Sequence, residues 1–287
     1  MISTNNYFHE VSIRPSPQPQ ALHLTLMESI LEINDEGVSL LRAGNNKAAM
    51  FRLASCLAVM KSNPVEGDSL VHYKFIQPSR LIQGNITSGM SPSPRYVFGA
   101  PIEVVASAKH QGTECSASCC SNHTERRSCK LLSIVLFNLS LAHHLWALEI
   151  KERAQHHVKD EMSQNQEVCP ILNKALRLYE LCHSSLIFTS SGLLCSDLPI
   201  AVVVTNNVGE IHKELDYQQE QHERRYHPLK NHPHECSKTA LACSEQLVQI
   251  FMFFTANGEA ERLEDLGDVL SNAMATVNGP RIFAPAA

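Results

Sequence analysis

The sequence predicts a mainly α-helical fold, a stack of three antiparallel helix hairpins with a small β-hairpin inserted and a helix closing the C-terminal end. Three observations predict it. Apolar residues recur at three- and four-residue steps over long stretches. Gly37, Leu40, Gly44, Ala49, Leu53 and Cys56 form a spaced set, with small residues where two helices must touch and larger apolar ones where their faces pack. Related sets begin at Leu136-Phe137-Asn138-Leu139-Ser140 and at Asn206-Asn207-Val208-Gly209.

Residues 1–19 hold His9, Glu10 and the Pro-rich run Pro15 to Pro19, and read as a flexible leader. From Leu22, the residues Leu26, Ile30, Ile33, Leu40 and Leu41 mark a first helix that stops at Ala43-Gly44-Asn45. Met50, Leu53, Leu57 and Met60 mark a second, from Asn46 to about Met60, ended by Asn63-Pro64. Together they form hairpin one, residues 20–63. The insertion, 64–130, is different: Pro78, Pro92, Pro94 and Pro101 exclude a long helix, while Val71 to Ile76, Tyr96 to Phe98 and Ile102 to Val105 favour extended chain. A two-stranded hairpin with a long polar tip is the expectation, an irregular loop the alternative. Lys109 to Cys129 is small, polar and Cys-rich and reads as a mobile loop.

Hairpin two, 131–190, takes Leu131 to roughly Val158 as its first helix, a polar break from Lys159 to Val168, and Pro170 to about Ile187 as its second. Hairpin three, 198–256, takes Leu198 to Leu215, a Gln/His-rich interruption from Asp216 to Glu235, and Ser237 to Thr255. Asn257-Gly258 caps the last of these. Glu259 to Val277 follows as a capping helix, with Leu263, Leu266, Val269, Leu270 and Met274 on its apolar side, and 278–287 is a tail.

These residues resemble the tetratricopeptide repeat. With Gly44 as the turn glycine, Gly37 falls on the small mid-helix site, Leu40 on the large one, Ala49 on the packing alanine, Leu53 on the aromatic site and Cys56 on the last small site. Leu136, Leu139, Ser140 and His143, with Ala175, Tyr179 and Cys182, repeat the pattern. Val208, Gly209 and His212, with Ala240, Ser244 and Leu247, repeat it in weaker form. The resemblance covers about half the chain and implies an α–α superhelix whose concave face is lined by the first helix of each pair. It also implies a partner-binding groove there, for which Asn34, Arg42, His144, Asn206, Glu210 and Lys213 are the candidates. Val38, Leu41, Phe137, Leu141, Leu145 and Glu214 share those helix faces. Phe137, Leu141 and Leu145 are too apolar for open groove, so the Val71 to Val105 hairpin is expected to cover some of them.

A chain of 287 residues with 44% hydrophobic and 18% charged residues can bury a sizeable core. Its formal net charge of -5 gives no electrostatic reason to expect nucleic acid or an anionic membrane as partner. No secretory signal is visible, and the most apolar stretches, Leu198 to Val204 and Ser133 to Ala142, fall short of the roughly 18 residues of a membrane span. The expected location is cytoplasmic or nuclear, with the ten cysteines reduced. Asn-x-Ser/Thr matches at Asn85, Asn122 and Asn138 then carry no weight.

Two clusters raise metal chemistry as the alternative function. Cys115, Cys119, Cys120, His123 and Cys129 offer zinc-type donors at irregular spacing, and His222, His227, His232, His234 and Cys236 gather in a Pro-containing loop. A Cys182 or Cys195 nucleophile with His183 or His212 lacks a glycine-framed turn and an orienting acid. No phosphate-binding glycine motif is present. The expectation is therefore a non-catalytic scaffold or adaptor that binds another protein or peptide, without cofactor.

Overall fold

In the computed structural model the described residues are 19–63, 71–75, 82–83, 96–106, 123–156, 161–188, 198–226, 235–259, 261, 263 and 266–278. They form a mainly helical fold: α1 (Pro19–Arg42), α2 (Asn46–Ser62), α3 (His123–His156), α4 (Glu161–Phe188), α5 (Leu198–Tyr226), α6 (Glu235–Ala256) and α7 (Gly267–Val277). Four short strands lie between α2 and α3: β1 (Val71–Phe75), β2 (Ile82–Gln83), β3 (Tyr96–Val97) and β4 (Ile102–Ala106).

The helices pack as three antiparallel pairs, α1 with α2, α3 with α4 and α5 with α6, and each pair packs on the next. In the first pair, a Cβ placed on Gly37 would lie 2.6 Å from the Cγ of Leu53, so the glycine is what lets α1 and α2 approach. One helical segment further along, the Cys56 thiol donates to the Ile30 carbonyl at 3.4 Å. Gly44, at φ +73°, turns the chain between them. Its amide donates to the Leu41 carbonyl and the Asn45 amide to that of Leu40, a Schellman ending that satisfies carbonyls the helix leaves open. Gly258, at φ +71°, ends α6 with the same pair of bonds, to Thr255 and Phe254.

In the second pair, Tyr179 is fully buried against Phe137, 6.0 Å between ring centres. The Cys182 thiol donates to the Ser133 carbonyl. In the third, Gly209 meets Cys243, with a 3.2 Å separation for an added Cβ, and Ala240, Ser244 and Leu247 are buried. Helix α7 packs on α6 and α5, and its Val269 and Ala273, with Leu263 and Leu266 just before it, join the core.

Several element boundaries differ from the expectation. Helix α3 begins at His123, so the Cys-rich stretch up to Cys129 is helical from there on, in a segment without Pro or Gly after Gly112. Helix α4 begins at Glu161 and contains Pro170, which removes one helical hydrogen bond without ending the helix, as Val168 and Leu172 on either side are buried in the core. Helix α5 continues through Asp216 to Tyr226, because its Gln and Glu residues favour helix and Gln218 is buried, donating to Glu214 at 3.0 Å. Helix α7 is shorter than expected, and Met274 is exposed while Asn272 is buried.

The insertion forms antiparallel pairs: β1 with β4, from Val71↔Ala106 to Phe75↔Ile102, and β2 with β3 through Ile82↔Val97 and Gln83↔Tyr96. This ribbon lies against the first helices of all three pairs, β4 on α1 and α3, β1 on α3, and β3 on α5. The apolar face of Phe137, Leu141 and Leu145 is buried, with β1 and β4 packed against that helix.

Among the described residues two helices are long and apolar enough to cross a membrane, which corrects the expectation that no stretch approaches that length. The apolar window of Lys130–Arg153 is 83% buried, so its composition is that of a core helix, whereas that of Cys236–Ala256 is 28% buried. Helix α6 exposes Leu241, Met252 and Phe253.

Candidate functional site

The face made by α1, α3 and α5 is not an open groove. Residues Val97, Phe98, Ala100, Pro101 and Ile102 run across it between the ends of β3 and β4 and are buried. Two asparagines hold this segment. Asn138 of α3 accepts from the Ile102 amide at 2.8 Å and donates to the Ile102 carbonyl at 2.9 Å. Asn207 of α5 accepts from the Phe98 amide at 2.9 Å and donates to the Phe98 carbonyl at 3.2 Å. Each carboxamide thus pairs with both backbone groups of one residue, as a neighbouring strand would.

Strand chemistry explains why those residues need such partners. In an antiparallel ladder, alternate residues turn their N–H and C=O away from the paired strand. Ile102 sits opposite Phe75 but directs both groups at Asn138, so α3 closes the second edge of β4. Phe98 follows β3, and Asn207 pairs with both of its backbone groups. A buried amide or carbonyl left unpaired would cost about 1–3 kcal/mol, so these four bonds fix where the segment lies.

The asparagines are themselves held. The Asn138 amide also lies 3.3 Å from the Asn34 carboxamide oxygen on α1. That of Asn207 also reaches the Tyr179 hydroxyl at 3.0 Å, tying α5 to α4. Tyr179 is edge-on to His144, 6.3 Å away, and burial raises its phenol pKa well above the ordinary value despite the Asn207 bond. Burial alone pushes the His144 pKa down to about 3.

Of the six groove candidates, Asn34, His144, Asn206 and Glu210 are buried, which corrects their expected place on an open surface. Asn34 is used against Asn138 and His144 against Tyr179. Asn206 and Glu210 accept from the Asn272 carboxamide at 3.0 and 2.9 Å, and so anchor α7. Lys213 is partly exposed, paired with Glu210 at 2.6 Å and with Thr276 at 2.7 Å. Arg42 alone of the six is exposed, at the end of α1. Glu214, also expected in the groove, is buried and paired with Lys151 at 2.7 Å.

Asn138 and Asn207, the two residues that grip the segment, were not among the candidates. The signal was present: each lies two positions before the small mid-helix residue, Ser140 or Gly209. Hairpin one has Asp35 at that position, exposed, its carboxyl raised by partial burial against a lowering bond from Asn34 and near Glu103 of β4.

The chemical alternatives find these placements. Cys115, Cys119, Cys120, Cys195, His227, His232 and His234 lie outside the described residues, as does the insertion's expected polar tip between 84 and 95. Among the described residues no group of three or more His, Cys, Asp or Glu is placed to hold a metal. Cys182 is fully buried, and burial raises its thiol pKa far above the ordinary value, which keeps it protonated and unsuited to nucleophilic attack. Burial lowers the pKa of both His183 and His212.

No family model, curated protein or solved structure matches the chain.

Proposed function

We propose that the chain is a non-catalytic protein-binding scaffold of tetratricopeptide type, which recognises an extended segment of another protein on the face of α1, α3 and α5. The observation that carries the reading is the pair of asparagines, Asn138 and Asn207, bonded to both backbone groups of Ile102 and Phe98. Contacts of this kind are made to the main chain, so they suit recognition of extended peptide, with side-chain pockets adding selectivity. Stacked helix pairs provide a repeating surface for such contacts. The raised pKa of the buried Cys182 favours this reading over thiol catalysis.

The test is affinity capture of the tagged full chain from its native cell extract, followed by crosslinking and mass spectrometry. One partner at stoichiometric yield, crosslinked beside α1, α3 or α5, is the expected result. A chain that captures no stoichiometric protein but retains zinc through purification would move the function to the Cys/His segments.

A further inference from the structure

We infer that the segment from Tyr96 to Ala106 is a built-in occupant of the peptide-binding face, a self-ligand that a partner's extended segment must displace. The inference deepens the proposed scaffold function and rests on it for the identity of the displacing ligand.

The segment crosses the helix pairs in reverse chain order. Phe98 meets Asn207 on α5, Ile102 four residues later meets Asn138 on α3, and β4 then reaches α1. In two of the three pairs an asparagine two residues before the small packing position reads one backbone unit of the crossing chain. Because Asn138 and Asn207 hydrogen-bond main-chain atoms of the segment, the polar grip is available to any extended peptide of suitable shape. Selectivity lies in the apolar sites now filled by Phe98, at 4% exposure, and Ile102, at 0%. Gly99 and Pro101 flank Ala100 between the two gripped residues, so the stretch outside the strand pairs carries small or rigid residues there.

The helices also have their own supports. Gly37 against Leu53, Phe137 against Tyr179 and Gly209 against Cys243 join α1 to α2, α3 to α4 and α5 to α6 without any atom of the segment. The occupant therefore rests on a stack whose pair contacts lie elsewhere. Being tethered in the same chain, it competes at an effective concentration on the order of millimolar, which sets what a partner must overcome.

Residue-resolved amide hydrogen exchange on the full chain tests this, together with binding of a labelled synthetic peptide spanning Tyr96 to Ala106. The expected result has two parts. The Phe98 and Ile102 amides exchange through a partial opening, with protection at least about tenfold below that of α3 and α5 core amides. The peptide binds saturably, and Phe98→Ala in the full chain tightens its binding about tenfold by raising the open fraction.

The inference is overturned if both amides exchange only together with the α3 and α5 core. It is equally overturned if the peptide fails to bind both the full chain and the Phe98→Ala variant while that variant keeps its helical spectrum. A segment that opens and accepts the peptide in a chain that captures no partner would leave the inference standing and remove the scaffold reading.

Discussion

Single residues decide the close approaches in this fold, and glycine is used for two different reasons. At Gly37 the reason is space: Leu53 is fully buried, and an added methyl 2.6 Å from its Cγ has nowhere to push it. Gly37→Ala is therefore expected to destabilise by about 1–3 kcal/mol despite alanine's better helix propensity, since overpacking outweighs a gain of about 1 kcal/mol. Gly209→Ala, with 3.2 Å to the Cys243 Cβ, should fall within about 1 kcal/mol of neutral. Denaturant unfolding of the two variants checks the ordering, and equal losses would contradict this account of Gly37. At Asn207, replacement by Ala removes the partners of the buried Phe98 amide and carbonyl and of the Tyr179 hydroxyl. A loss of at least about 2 kcal/mol is expected from unfolding curves.

At the scale of elements, the helix ends and the inserted ribbon show what the sequence made legible. Gly44 and Gly258 were readable as helix stops because a positive φ is one of the few backbone states that selects its residue. Gly44→Ala is expected to lower stability by about 1 kcal/mol, measured by thermal unfolding, although no atom stands near its missing Cβ. The first hairpin and the strand segments were likewise legible, since apolar spacing and proline positions encode them locally. Longer α4 and α5 were not. Pro170 and the Gln/His-rich stretch suggest breaks by composition, whereas continuation depends on burial of Val168 and Gln218 against neighbouring elements. The grip was missed for a related reason. Asn34 and Asn206 lie one position away from the register of Asn138 and Asn207, and only the crossing of β4 and Phe98 distinguishes the asparagines that hold the strand.

For the whole molecule, the helix pairs, the ribbon and α7 share one buried core, so polar groups expected at a surface lie inside it. One consequence is acid sensitivity. His144 has a folded pKa of about 3 against 6.5 in the unfolded chain, so the unfolded state takes up the proton first as pH falls below 6.5. Stability should drop by about 2 kcal/mol from this residue between pH 7 and pH 5, and His143, His183 and His212, also lowered by burial, act in the same direction. Asp35, raised by burial, opposes this only at the lower pH of carboxylate titration. Chemical denaturation at the two pH values checks the sum, and His144→Gln should flatten the slope. The central claim is that the first-helix face is filled by the chain's own extended segment. The most direct measurement is the nuclear magnetic resonance spectrum of the Asn138 and Asn207 side-chain amides. Slowly exchanging carboxamide protons with contacts to Ile102 and Phe98 are the expected result, and rapid exchange with water without those contacts would contradict it.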